Sequence, residues 1–417
     1  MSDGRSTVGD VRILHTSDWH LGRTFHGHST HEALSGVLAA LPDLVREHDV
    51  DVVVVAGDVF DSSVPSAESL QTLERVLLGL RDTGATIVVI SGNHDSPTRL
   101  GFQSVWAERA GVHVRTHPER LDEPVVVADA HGDVELYPVP FLEPALLRHR
   151  VGDVPMASQA DALRWALGRV HAAVEQRRGA LADSGAAGGP AATRAVVVSH
   201  CFAVGVSPEA PTIDVERDIT AGGIDLVPLD VFDGIDLTLL GHVHGRAELS
   251  PRVRYSGAPL HFSFSEARKP RGAWLIDLGP RRPGSDDELA EVAATWVDLP
   301  VPRPLAELRG TLRELLDDAA HEFARDHWVK AVVTDSIRPL DSMRRLQTRF
   351  AHCALLEFDP EDRAHRTGAT YGQRVRGARG DVDLVNAFLE HVRGAGLDEH
   401  ERGVVVDALA DLDGAGR

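Results

Sequence analysis

Short apolar runs recur through the first two-thirds of the chain, at residues 11–14, 52–55, 87–90, 196–198 and 237–240. They are too short for helices and show little alternation, which is the pattern of strands buried on both faces. Between the early runs, residues 31–48 and 67–82 carry apolar side chains at helical spacing. Strand–helix alternation predicts an α/β fold with helices packed on sheets. A further amphipathic helix is expected over 165–178. Strands at 254–255, 273–277 and 294–299 would close a second sheet. Residues 179–193 and 280–287 read as loops, and 1–10 as a polar, disordered lead-in.

The prolines of 300–304 mark a boundary, so 11–299 is expected to form one domain. Beyond it the pattern reads helix (305–323), strand (329–334), helix (342–350), strand (354–358), a small α+β module over 300–362. Residues 363–381 are rich in Arg and Gly and read as a flexible connector. Residues 382–417 hold two amphipathic helices, 382–392 and 399–412. Leu384, Val385, Phe388, Leu389 and Val392 form an i, i+3/i+4 stripe suited to docking on another helix.

Composition narrows the function. No apolar run approaches the ~18–20 residues of a membrane span, and the polar start lacks a signal-peptide pattern, so a cytoplasmic protein without a membrane role is expected. Cys201 and Cys353 are the only cysteines, too few for a four-thiolate zinc site. A formal net charge of −20 argues against an autonomous, tight nucleic-acid binder. Phosphate contacts are local, however, and a partner can supply electropositive surface.

Twenty-two histidines are the unusual feature, and several follow the apolar runs directly. The first run leads into Asp18-Trp19-His20, the second into Gly57-Asp58-Val59-Phe60-Asp61, and the third into Gly92-Asn93-His94-Asp95. The fourth ends at His200, and the fifth at Gly241-His242-Val243-His244. Alone, Asp-x-His is a common surface pattern and Gly-Asp a common turn. Five blocks, each at the carboxyl end of a strand where open α/β sheets place ligands, point to a metal site. Oxygen donors mixed with imidazoles suit manganese, iron(II) or zinc. Gly57, Gly92 and Gly241 would let backbone approach the ions closely.

This order of blocks resembles the calcineurin-like metallophosphoesterases. The run from Ile13 to Gly22, Gly57 to Asp61 with the following serines, and Tyr255-Ser256-Gly257-Ala258-Pro259 through Phe264 resemble SbcD-type nucleases among them. The resemblance covers residues 11–299, with the remainder similar in layout. It implies a four-layer sandwich of two mixed sheets flanked by helices, a small α+β capping domain and a C-terminal helix pair. Asp18, His20, Asp58 and His244 resemble the ligands of one metal, and Asp58, Asn93, His200 and His242 those of a second, with Asp58 shared. His94 matches a catalytic histidine that serves the leaving oxygen, and Asp95 is expected to orient its ring.

The resemblance also implies two divalent ions, most readily Mn²⁺, with Fe²⁺ or Zn²⁺ as alternatives. The activity expected is hydrolysis of DNA, exonucleolytic on double strands and endonucleolytic on single strands or hairpins. Expected partners are DNA and an SbcC-type coiled-coil ATPase, with a homodimer inside a heterotetramer. Arg23, Arg99, Arg217, Arg246, Lys269 and Arg271 are candidates for phosphate contacts. Trp19 reads either as groove floor or as packing, and Cys201 as inert. The rival readings are a small-molecule phosphodiesterase for cyclic nucleotides or nucleotide sugars, and a scaffold that tethers DNA ends. The first needs neither cap nor helix pair. A metal-dead scaffold for binding partners would have lost Asp58, Asn93 or His242, whereas DNA-end tethering is compatible with catalysis.

Overall fold

The computed structural model describes residues 9–152, 154–184, 193–204, 226–282, 289–360, 371–392 and 395–415. Most of the expected lead-in, residues 185–192 and 283–287 of the two expected loops, and Arg217 therefore lie outside the described residues; the helix Gln159–Ser184 runs into the first of those loops and the strand Gly272–Arg281 into the second. By contact the chain divides into two units, Met1–Leu305 and Ala306–Arg417.

The first unit holds two six-stranded sheets. One runs in the order Ala290–Asp298, Gly272–Arg281, Val11–Thr16, Val52–Ala56, Thr86–Ile90, Val112–Arg115. Its last four strands are parallel and its first two antiparallel. The other runs Ala247–Ser250, Val253–Tyr255, Leu237–Gly241, Arg194–His200, Gly132–Val139, Val125–Asp129, with its four central strands parallel.

The fully apolar strands explain the layering. In Val52–Ala56, Val52, Val54 and Ala56 face the second sheet and meet Val196, Val198, Leu237 and Leu239. Val53 and Val55 face outward, onto Leu34, Val37 and Leu38 of the helix His31–Ala39 and Val76 and Leu80 of the helix Ala67–Arg81. The second sheet presents Tyr137, Val139, Ala195 and Val197 to Leu163, Ala166, Leu167 and Val170 of the helix Gln159–Ser184. Helix, sheet, sheet and helix form four layers, as expected. Burial on both faces leaves no polar side for alternation to report.

Several elements differ from the sequence reading. Residues 31–48 form two helices, His31–Ala39 and Leu41–Glu47, because Pro42 has no N–H to continue the first. The strand Gly132–Val139 has no apolar run to announce it, because it buries Glu135, whose carboxylate accepts from Tyr137 Oη at 2.6 Å and pairs with Arg177. Among the described residues, no helix is long and apolar enough to cross a membrane.

The second unit contains a three-stranded sheet, Leu305–Gly310, Trp328–Val333, Cys353–Phe358. The expected helix over 305–323 begins instead as a strand. Ala306 and Leu308 alternate inward, and only at Thr311 does a capping box with Glu314 start the helix Leu312–Asp317. Within the expected connector, Tyr371–Gly377 is helical. The helices Asp381–Val392 and Glu399–Ala415 follow, and Leu384, Phe388 and Val392 are exposed.

Candidate metal centre

All five motif-bearing strands deliver their last residues to one edge. The loops after the first two are zipped together: Asp18 N donates to Gly57 O (3.0 Å), His20 N to Asp58 O (2.9 Å) and Leu21 N to Val59 O (2.9 Å). The second sheet is tied in by His242 N, which donates to Asp18 Oδ1 at 2.9 Å.

Seven side chains expected from the sequence converge here. Ligand atoms of Asp18, His20 and His244 lie within 4.8 Å of one another, as do those of Asp58, His200 and His242. Asp58 Oδ2 reaches both halves, 3.3 Å from His200 Nε2 and 3.7 Å from His20 Nε2. Asn93 Oδ1 lies 3.0 Å from His200 Nε2 and 3.0 Å from His242 Nδ1. His20 Nε2 and His244 Nε2 face each other at 3.1 Å.

The donor set fits metal ions on its hydrogen bonding. His200 Nδ1 donates to Ala56 O at 2.9 Å, so in the neutral ring Nε2 is a lone pair aimed at Asp58 and Asn93 oxygens. Acceptors crowded on acceptors require a cation between them or a proton in its place. The electrostatics agree. Burial alone would lower the His200 imidazole, but Asp58 lifts it to about 9. Asp58, against its own burial, is held well below the usual carboxylate range by His200 and His20. Asp18 is raised by burial.

Backbone strain marks the same residues. Asp18 (φ 53°), His20 (48°), Asp58 (48°) and His242 (103°) all adopt positive φ, a conformation few non-glycine residues take. Such strain concentrates at functional sites because the surrounding structure must over-determine it. The glycines act mainly through close approach. A Cβ on Gly92 would lie 2.1 Å from Asp58 Oδ1, and one on Gly241 would lie 1.8 Å from Ala56 O.

The centre is buried on one side and open on the other. Asp18, His20, Asp58, His200 and His244 are buried, His94 and His242 are half-buried, and Asn93 is exposed. His94 N donates to Asp58 Oδ1 at 3.0 Å, placing its ring against His20 (centroids 4.9 Å apart).

Asp95 requires a correction. Its carboxylate accepts from the amides of Val59 (3.1 Å), Phe60 (2.9 Å) and Gly92 (2.9 Å), and so fastens two loops instead of orienting His94. Burial and nearby Asp58 push it up to about 6. His94 Nδ1 instead meets Asp61 O at 3.0 Å.

The basic candidates divide. Arg23 pairs with Asp61 (3.2 Å) and stacks on Phe262 (5.0 Å) beside the centre. Arg99 is exposed, its guanidinium donating to Ser63 O at 2.8 Å. Arg246 is exposed and stacked on Trp296 at 4.8 Å, and Lys269 is half-buried. Arg271 is a second correction: it is 2% exposed, paired with Glu266 at 3.1 Å and donating to the carbonyls of His244 and Ala258, so it is withheld from any ligand in solvent. Trp19 is fully buried and donates to Thr16 Oγ1 at 3.1 Å, which makes it packing and not groove floor. Cys201 is buried and its thiol is pushed up to about 12 by burial.

Two carboxylates join the centre that the sequence motifs do not assign to it. Asp61 Oδ1 lies 3.3 Å from His20 Nδ1 and Glu266 Oε1 3.3 Å from His244 Nδ1. Asp61 sits inside a motif, and that position is its signal. Glu266 lies 22 residues after its histidine, and no spacing signals it.

Fold and donor set together define a metallophosphoesterase. Residues 11–143 match the calcineurin-like phosphoesterase family, and residues 301–392 match the type 5 capsule protein repressor C-terminal domain, also called SbcD_C. The chain thus carries a calcineurin-like phosphoesterase domain followed by an SbcD C-terminal domain. It is similar to the SbcD component of the nuclease SbcCD from Staphylococcus saprophyticus, 28% identical over 271 residues, which span 64% of this chain and 66% of that one. The Staphylococcus epidermidis protein of the same name is 25% identical over 339 residues, 81% of this chain and 82% of that one. A dimetal phosphatase from Danio rerio aligns over 70% of this chain and 98% of its own, at 14% identity and a TM-score of 0.38.

Proposed function

We propose that this chain is the DNA-cutting subunit of an end-processing complex, hydrolysing phosphodiester bonds exonucleolytically at double-stranded ends and endonucleolytically in single strands or hairpins. The observation that carries it is the two acceptor clusters bridged by Asp58 Oδ2, which reaches His200 and His20, with half-buried His94 beside them. The relatives named as components of a nuclease support a nucleic acid as the substrate.

In this reading Asp18, His20, Asp58 and His244 hold one divalent ion and Asp58, Asn93, His200 and His242 the other, with manganese first among the candidates. Bound there, the ions supply charge neutralisation at the phosphoryl oxygens and activation of water. His94, half-buried at the open side, donates a proton or charged hydrogen bond to the leaving oxygen. Asp95 keeps the Asp58 and Asn93 loops in register. Arg23, Arg99 and Arg246 take phosphates of the strand.

Residues 300–362 serve as a cap that guides DNA, and the helices within 382–417 dock on a coiled-coil ATPase of the SbcC type. Exposed Leu384, Phe388 and Val392 favour that docking. The dimer within a heterotetramer, and a cytoplasmic setting, follow from the same partnership.

The test pairs substrates. Purified chain with Mn²⁺, with and without the ATPase and ATP, is offered hairpin DNA, blunt duplex and a cyclic nucleotide. Cleavage of DNA, stimulated by the partner, is expected. Robust hydrolysis of the cyclic nucleotide with DNA left intact would overturn the nuclease reading.

A further inference from the structure

The imidazoles of the centre are backed differently on their far nitrogens. His200 Nδ1 is satisfied by a neutral carbonyl, that of Ala56. His244 Nδ1 faces a carboxylate, Glu266 Oε1, at 3.3 Å. Glu266 is itself 2% exposed, and its second oxygen accepts from Phe262 N (3.1 Å) and is ion-paired with Arg271 Nη2 (3.1 Å). Arg271 in turn donates to the carbonyls of His244 and Ala258, joining the histidine loop to the loop that carries Gly257. A buried carboxylate so enclosed cannot swing away from the ring. It fixes the proton on Nδ1 and leaves the Nε2 lone pair facing His20.

We propose that Glu266, clamped by Arg271, is a positioning residue that sets the tautomer of His244 and strengthens it as a donor to a metal ion. The proposal rests on the two-ion reading above but not on the identity of the substrate. A carboxylate behind an imidazole raises its basicity, and the partial neutralisation of Glu266 by Arg271 limits that gain. Removing such a partner costs about 10–100-fold in metal affinity.

The full chain, stripped of metal, is titrated with MnCl₂ by calorimetry and electron paramagnetic resonance. Wild type is expected to take two ions. Glu266→Gln is isosteric and still accepts a hydrogen bond, so a merely structural role predicts an unchanged isotherm, and that result would overturn the proposal. The expected result is a loss of about tenfold or more in one of the two binding steps, with the other retained. Should the variant fail to fold, ¹⁵N-histidine spectra of metal-free wild type decide the matter: His244 is expected with its proton on Nδ1, and a proton on Nε2 refutes the assignment. Wild type that binds no manganese would sink the two-ion reading itself. A normal two-ion wild type beside an unaltered Glu266→Gln would sink this inference alone.

Discussion

Asp61 touches His94 and His20 through different atoms. Its carbonyl oxygen lies 3.0 Å from His94 Nδ1, and its carboxylate 3.3 Å from His20 Nδ1. One residue thus orients the ring on the open side and a ring of the buried centre. His94 lies close enough to His20 and Asp58 to form a third donor group with them, but the seven side chains proposed to hold the two ions are complete without it. His94→Ala is expected to keep two manganese ions and lose about 10²–10⁴-fold in single-turnover cleavage. Calorimetry and quenched-flow cleavage read the two quantities separately, and a variant that cleaves at the wild-type rate removes the proton-donor role.

Gly92 tests how closely backbone must pass the shared carboxylate. Its added Cβ would meet Asp58 Oδ1 at 2.1 Å and Asp58 N at 2.4 Å, neither of which can retreat from the strained turn at Asp58. Gly92→Ala should displace the carboxylate by a fraction of an ångström or more. Displacements of about 1 Å cost on the order of 10²-fold in rate. Turnover down by that factor, together with fewer than two bound ions by elemental analysis, is the expected outcome. Two ions at full occupancy would show that the turn has slack.

The convergence of the seven side chains was legible because each stands at the end of an apolar strand, and parallel strands bring their carboxyl ends to one edge. The layering was legible for the same reason, since Val52–Ala56 can be buried on both faces only between a helix layer and another sheet. What stayed hidden depends on tertiary partners. Arg271 beside Lys269 reads as a basic stretch, and only the enclosing Glu266 turns it inward. Asp95 beside His94 reads as a dyad, yet three backbone amides claim its carboxylate first. Strand 305–310 reads as the front of a helix until the cap at Thr311 is seen to start that helix later.

Arg246 separates phosphate contact from structure. Stacking on Trp296 holds the guanidinium in place while leaving it exposed, so it can meet a phosphate with little further ordering. Arg246→Ala is expected to weaken binding of metal-free protein to duplexes of any sequence alike. The slope of log K against log salt should fall by about 1, the signature of one lost phosphate contact. Fluorescence anisotropy across a salt series measures it, and an unchanged slope would leave Arg246 as packing on Trp296 alone.

His15 provides the test of how the two sheets respond to acid. It is fully buried, in register with Trp274 on one side and Val54 on the other. Burial, reinforced by the charge of Arg254, pushes its imidazole down to about 3. The unfolded chain takes up a proton near pH 6.5, whereas the native state refuses it until far lower pH. The neutral ring therefore contributes nothing unfavourable above pH 6.5, and stability is lost as pH falls from there toward 3, by roughly 1.4 kcal/mol per unit. His15→Leu abolishes that uptake while keeping an apolar side chain between the sheets. Urea unfolding at pH 7 and pH 5 should show the variant losing about 2 kcal/mol less than wild type over that interval. Equal losses would mean that the native state admits the proton at its ordinary pKa, and that the space between the sheets is wetter than its enclosure indicates.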